Sequence, residues 1–336
     1  MKKQILWISI LTAAASTAAT AETINAAGAT FPAPIYQKWF EEFHKAHADI
    51  QINYQPIGSG GGIRQITEGT VDFGASDMPM TDEQMSKVSK FKVLHFPTVL
   101  GGIVPTYNVP GVPSINFSGA TLAGIYLGSI KKWNDPALVK DNPGAKLPNE
   151  DITVVHRSDG SGTSFVFSDY LAKVSPEWKT KVGVNTSVNW PVGLGGKGNE
   201  GVSGLVKQTP FSIGYVELIY AVQNKMEYGA MKNKAGNFVK ADFNTVSDAA
   251  AGAAKDMPAD FRVSITDAPG KNAYPIASFT WLLIPDKIDN ATKKKSITDF
   301  LQWMMTAGQG DAQALSYAPL PKPVVVKEQK QLALIK

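Results

Sequence analysis

Three stretches of this chain combine glycines and hydroxyl residues just ahead of a helical pattern. They are Ala27-Gly28-Ala29-Thr30-Phe31, Gly58-Ser59-Gly60-Gly61-Gly62 and Asp159-Gly160-Ser161-Gly162-Thr163-Ser164. Glycine lets backbone approach an anion closely, and the first N–H groups of a helix have no partner inside it. With the helix dipole added, such a start is an anion site, and Thr30, Ser59, Ser161 and Thr163 add hydroxyl donors. Each stretch alone is equally an ordinary cap or turn. Three in one chain, with Arg157 and Asp159 attached to the third, point to a tetrahedral oxyanion wrapped by several helix ends.

Arg157 supplies a fixed positive charge whose fork suits a pair of anion oxygens, and Asp159 is placed to orient it. The plain alternative is a surface ion pair of little worth. Asp77, after Gly74-Ala75-Ser76, is the informative residue. A carboxylate beside an anion repels it unless the anion has a proton to donate. Phosphate near neutral pH keeps one or two protons and sulfate none, so an acceptor carboxylate would admit the first. Sulfate would face an unpaired buried charge, a rejection on the order of 10⁴-fold where geometry is good. Asp77 is equally readable as the N-cap of a helix beginning near Thr81-Asp82-Glu83-Gln84.

The elements that must position these residues alternate short β-branched runs with longer helical ones, which predicts an α/β fold. Ile35, Tyr36, Trp39, Phe40 and Phe43 share one helical face behind Pro32 and Pro34. Residues 50–54 alternate as a strand, residues 63–68 read as a helix after the glycine run, and residues 71–73 as a strand. Residues 93–104 form an apolar run without a loop, a candidate strand crossing between two lobes, and residues 276–284 are a candidate return. Residues 152–155 are a strand leading into Arg157, followed by a helix carrying Phe165, Val166, Tyr170, Leu171 and Val174.

The 336 residues suit two α/β lobes, and 43% hydrophobic with 18% charged residues excludes a disordered or fibrous chain. Charges are scattered. The longest basic run, Lys293-Lys294-Lys295, reads as a solvated helix face, so nucleic-acid binding is set aside. The run Gly193-Leu194-Gly195-Gly196-Lys197-Gly198 matches G-x-G-x-x-G, but Pro191 interrupts the strand it would need, and Gly198 stands where a P-loop requires Ser or Thr. Ser161 lacks the glycine two residues earlier that a nucleophile elbow requires. His44 and His47 lie one helical turn apart, with only His95 and His156 besides and no Cys; no metal site and no cofactor are expected.

The N-terminus reads as a signal peptide: Lys2 and Lys3, an apolar stretch over residues 5–11, then Ala19-Thr20-Ala21, which predicts cleavage after Ala21. The apolar core is too short for a spanning helix. Removing Lys2 and Lys3 from the 33 basic residues, against 29 acidic ones, leaves a formal charge of +2. The absence of cysteine excludes a disulfide framework and a lipid-anchored first residue. The periplasm is the expected location.

Several motifs resemble the periplasmic phosphate-binding protein family: Ala27-Gly28-Ala29-Thr30-Phe31-Pro32-Ala33-Pro34, Gly74-Ala75-Ser76-Asp77, and Arg157-Ser158-Asp159-Gly160-Ser161-Gly162-Thr163-Ser164-Phe165. So do Ile125-Tyr126-Leu127-Gly128, Lys131-Lys132-Trp133 and residues 193–199. The similarity runs over residues 24–318 with the motifs in the family's order. It implies a type II periplasmic binding protein fold, two lobes joined by two crossing segments that close on a ligand by hinge motion. The expected division is residues 22–99 with 276–336 as lobe I and 100–275 as lobe II, behind a signal peptide of residues 1–21.

The resemblance also implies the ligand contacts. Thr30 and Phe31 give backbone N–H groups, with the Thr30 hydroxyl helping, Ser59 donates, Asp77 accepts the ligand's proton, and Arg157, Ser161, Gly162 and Thr163 complete the cage, with Asp159 holding Arg157. It implies a monomer that binds inorganic phosphate and delivers it to the membrane permease of an ABC importer, and no enzyme activity. Two departures stand out. His156 replaces a second arginine found beside the binding one in the enterobacterial member, which should alter local charge and not the cage. Pro105 interrupts the apolar run just after the first crossing segment. The alternatives are a secreted phosphatase using the same anion cage and an exported adhesion or structural protein.

Overall fold

The computed structural model describes residues 21–254 and 256–336. The signal-peptide reading, apart from Ala21, lies outside them. The first half of the molecule follows the expected alternation: β1 (Glu22–Gly28), α1 (Ala33–Ala46), β2 (Ile50–Pro56), α2 (Ser59–Glu68), β3 (Phe73–Ser76) and α3 (Asp82–Ser86). In α1, Pro32 and Pro34 set the start, and Ile35, Tyr36, Trp39, Phe40 and Phe43 are all buried, as their spacing predicts. The second stretch departs from expectation. The glycines after Gly58 are not a loop but the first turn of α2, which begins four residues before Ile63. Gly58, at φ +90°, makes the sharp entry that allows it.

β4 (Val93–Asn108) is a 16-residue strand buried almost throughout. Next come β5 (Asn116–Phe117), α4 (Gly119–Leu127), α5 (Pro136–Asp141), β6 (Thr153–Arg157), α6 (Gly162–Val174), α7 (Pro176–Lys181), β7 (Leu194–Gly196), α8 (Gly198–Gln208), β8 (Ser212–Glu217) and α9 (Leu218–Gln223). The chain ends with β9 (Glu227–Tyr228), β10 (Ala230–Lys232), β11 (Phe238–Val239), α10 (Phe243–Ala251), β12 (Ala277–Pro285), α11 (Ala291–Met304) and α12 (Lys322–Gln331).

The main sheet runs β2-β1-β3-β12-β4-β8-β6-β7. β1 is parallel to β2 and β3, and β6 is parallel to β7 and β8. Between these two parallel sets, β12 and β4 run antiparallel to their neighbours. β4 belongs to both halves: residues 93–102 pair with β12, and residues 103–108 pair with β8. Its continuous apolar run is what a strand buried on both faces requires. The expected crossing and return segments are therefore β4 and β12, side by side.

Pro105 does not interrupt the run. It sits within β4 opposite Tyr215, and its carbonyl accepts from Gly229 N at 2.9 Å. Pro97 is also inside β4, beside the register shift between Thr280 and Trp281, a bulge being where a sheet tolerates a residue without N–H. Of the basic run in α11, Lys295 pairs with Asp299 on an exposed face, whereas Lys293 departs from a solvated face by making a partly buried ion pair with Asp72 just before β3.

Candidate functional site

Parallel strands carry the residues at their C-terminal ends to one edge of a sheet, the usual place for a ligand in open α/β folds. β1 leads to Thr30 and Phe31, β2 to Gly58 and Ser59, and β3 to Asp77. From the other half of the sheet, β6 ends on Arg157 and leads to Ser161, Gly162 and Thr163. The two edges face each other, and Gly60 N donates to Gly160 O across the cleft at 2.9 Å. All eight expected contact residues come together here. All are buried, Arg157 at 3% exposure being the least so of the seven that carry side chains.

The helix starts are arranged as the sequence suggests. Ser161 caps α6 by accepting from Ser164 N at 3.0 Å. Gly162 lies so close to the opposite edge that a Cβ there would stand 2.2 Å from Ser59 Oγ and 2.6 Å from Asp77 Oδ2. Gly58 faces the same constraint in reverse, since its Cβ would stand 2.5 Å from Asp159 Oδ2.

Arg157 is no surface ion pair. Its Nε donates to Asp159 Oδ1 at 2.8 Å and its Nη2 to Asp159 Oδ2 at 2.6 Å, a two-point fork. Its Nη1 reaches Thr163 Oγ1 at 3.3 Å, on the cage side. Asp159 is itself steered by Gly198 N, which donates to Oδ1 at 3.0 Å. Burial would raise the Asp159 carboxyl, but the hydrogen bond and charge of Arg157 outweigh it and hold the group below its ordinary value. Asp159 is thus a permanent anion that fixes Arg157.

Asp77 is no helix cap, because Thr81 caps α3 in a capping box with Gln84. Thr280 Oγ1 donates to Asp77 Oδ1 at 2.8 Å, and Ser59 Oγ contacts Oδ2 at 3.5 Å. Burial pushes this carboxyl up to about 7, against the opposing pull of Thr280, Arg157 and Ser59. A carboxyl poised there can hold a proton or accept one from an anion that carries it.

His156, beside Arg157, faces the other side of β6. It stacks on Trp190 with ring centroids 5.1 Å apart, and burial lowers its pKa. His44 and His47 stay at the end of α1, where His44 Nδ1 meets Ile50 O and His47 packs on Phe43. Among the described residues no group of His, Cys, Asp and Glu is gathered for a metal. The G-x-G-x-x-G run makes the short edge strand β7 and the start of α8.

Just after that run stands a residue that residue-type reasoning passed over. Asn199, the second residue of α8, is fully buried at the cleft; its Nδ2 donates to Thr30 Oγ1 at 2.8 Å, and its Oδ1 accepts from Glu217 N at 3.0 Å. A glycine-rich turn followed by a helix start was the available signal. Tyr220 OH donates to Thr30 O at 2.5 Å, and Thr280 supports Asp77 from β12. Neither has a local sequence signature, because both reach the site from distant elements.

Comparison with known proteins gives the same picture. A model for the PBP superfamily domain matches residues 13–307. The phosphate-binding protein PstS of Xylella fastidiosa (strain Temecula1) is 46% identical over 307 residues, covering 91% of this chain and 83% of that one. The PstS of Pasteurella multocida (strain Pm70) is 44% identical over 333 residues, covering 98% and 96%. Among solved structures, a high affinity periplasmic phosphate-binding protein (PfluDING) bound with phosphate superposes with a TM-score of 0.74 at 21% identity, over 92% of this chain and 93% of that one. At that identity the likeness carries the fold, two lobes about a central cleft. In sequence and in fold, the chain belongs to the phosphate-binding protein PstS family of the PBP superfamily.

Proposed function

We propose that this chain binds inorganic phosphate, as the monobasic or dibasic ion, and delivers it to the membrane permease of an ABC importer. It is a binding protein and not an enzyme, in line with the relatives' names. The adhesion reading leaves Asp77 without a task, and the phosphatase reading would need an activated nucleophile or a metal beside the cage. The protein works exported, in the periplasm, after cleavage following Ala21. Lobe I comprises residues 22–99 and 276–336, and lobe II residues 100–275.

The contacts are Thr30, Phe31, Ser59 and Asp77 from one lobe and Arg157, Ser161, Gly162 and Thr163 from the other, with Asp159 holding Arg157. The observation that carries this reading is Asp77. A buried carboxyl within the field of a buried guanidinium, at a cleft edged by several helix starts, suits an oxyanion that is both negative and protonated. About ten charge-assisted hydrogen bonds supply the roughly 8 kcal/mol of micromolar binding after desolvation and closure.

Calorimetric titration of the mature protein with phosphate, in a large excess of sulfate, tests the reading. One-to-one binding at micromolar or tighter, unchanged by sulfate, is the expected result. Equal competition by sulfate would make this a general oxyanion binder, and no binding at all would remove the reading.

A further inference from the structure

Asn199 is not among the proposed ligand contacts, yet it holds the two threonines that are. Its Nδ2 donates to Thr30 Oγ1 at 2.8 Å and to Thr163 Oγ1 at 3.3 Å, and its backbone N donates to Thr30 Oγ1 at 3.3 Å. The carboxamide cannot turn freely, because Oδ1 accepts from Glu217 N at 3.0 Å, at the register position where β8 meets the crossing strand beside Ile103.

A hydroxyl has two lone pairs and one proton. Thr30 Oγ1 accepts twice from Asn199. Thr163 Oγ1 accepts once from Asn199 and once from Arg157 Nη1 at 3.3 Å. With the lone pairs engaged, each hydroxyl has only its proton left to offer.

We propose that Asn199 is a positioning residue that fixes the Thr30 and Thr163 hydroxyls as donors toward the anion. The proposal rests on the phosphate reading above. It adds a reason for selectivity. A freely rotating hydroxyl can accept from a protonated phosphate oxygen, whereas one locked as a donor cannot. Asn199 thereby directs the ligand's proton to Asp77.

A residue that merely braced the fold would weaken binding whether or not the threonine hydroxyls were present. A double-mutant cycle separates the two roles. Phosphate affinity is measured by calorimetry for Asn199→Ala in the wild-type chain and in a Thr30→Val/Thr163→Val chain. The expected loss is roughly tenfold or more in the first and under about twofold in the second, because coupled residues are not additive. Equal losses in both overturn the role.

If Asn199→Ala does not fold, Asn199→Asp carries the same comparison, since it keeps the acceptor for Glu217 N. Its added charge repels the anion in both chains, so only the excess loss in the wild-type chain counts, and no excess overturns the role. A wild-type chain that binds phosphate but shows equal losses removes this inference alone. A wild-type chain without phosphate affinity removes the functional reading and this inference with it.

Discussion

Asp77 and Asp159 both feel the charge of Arg157, but only Asp159 bonds to it, and their carboxyls are pushed in opposite directions. Asp159 has the fork of Arg157 and the N–H of Gly198, which stabilise its charge more than burial opposes it. Asp77 has a hydroxyl from Thr280 and a long contact from Ser59, and burial wins. Arg157→Ala should therefore weaken phosphate binding by roughly 3 kcal/mol or more, since it removes the ligand's buried charge partner and strands Asp159. A near-wild-type affinity by calorimetry would take Arg157 out of the site. Asp77→Asn should admit sulfate, because the amide can donate to an oxygen without a proton. Sulfate that still fails to compete in that variant would show that Asp77 is not the discriminating group. Asp77 also predicts a pH dependence. Its folded value of about 7 lies above the ordinary 3.8, so its contribution to stability is complete below the lower value and is lost as pH rises through the upper one. The stability of phosphate-free Asp77→Asn, followed by its unfolding temperature, should thus pull ahead of wild type as pH rises from about 4 to about 7, by at most about 4 kcal/mol at 1.36 kcal/mol per pKa unit. A constant gap would mean that the carboxyl is hydrated whenever no phosphate is held.

At the level of elements, affinity depends on helix starts that touch across the cleft, and this constraint explains what the sequence revealed. Gly162→Ala places a Cβ against Ser59 and Asp77, so the α6 start must back away from the opposite edge. Phosphate affinity should fall at least tenfold while the empty protein unfolds at nearly the wild-type temperature, the strain being confined to the closed cleft. Unchanged affinity would show that these edges do not meet around the ligand. Arg157, Ser161 and Thr163 were legible because a strand end, a cap and a helix start follow one another in sequence. The buried face of α1 and the long run of β4 were legible because periodicity and continuous apolarity are local. The start of α2 was not: a Gly-Ser-Gly-Gly-Gly run has low helix propensity, and packing overrides it. Gly62 lies against the backbone of Gly28 and Ala75, where a side chain would not fit. Thr280 was hidden for the opposite reason. It lies in a uniformly buried strand, and its sequence says nothing about the carboxylate it will meet from β3.

Across the whole molecule, β4 and β12 run side by side through the middle of the sheet, and β4 changes partners between Gly102 and Ile103, where the two parallel sets adjoin. Hinges are a few residues that take up the backbone change while the packed halves move as bodies. The closed arrangement is held by bonds that need no ligand: Gly60 N to Gly160 O, Asn199 to Thr30 Oγ1, and Tyr220 OH to Thr30 O. Binding affinity then includes the population of the closed form as well as the contacts within it. Tyr220 isolates that contribution, because its hydroxyl bonds the Thr30 carbonyl and Glu200, and the Thr30 N–H and hydroxyl remain for the anion. Tyr220→Phe should lower phosphate affinity by about three- to tenfold, the worth of one net hydrogen bond of roughly 0.5–1.5 kcal/mol. The loss should appear as faster release, with the association rate little changed. Small-angle scattering of the phosphate-saturated variant should match saturated wild type, since only the balance between forms has shifted. A variant that stays expanded at saturation would instead mean that Tyr220 shapes the closed state itself, and an unchanged affinity would mean that the bond to Thr30 persists when the lobes part.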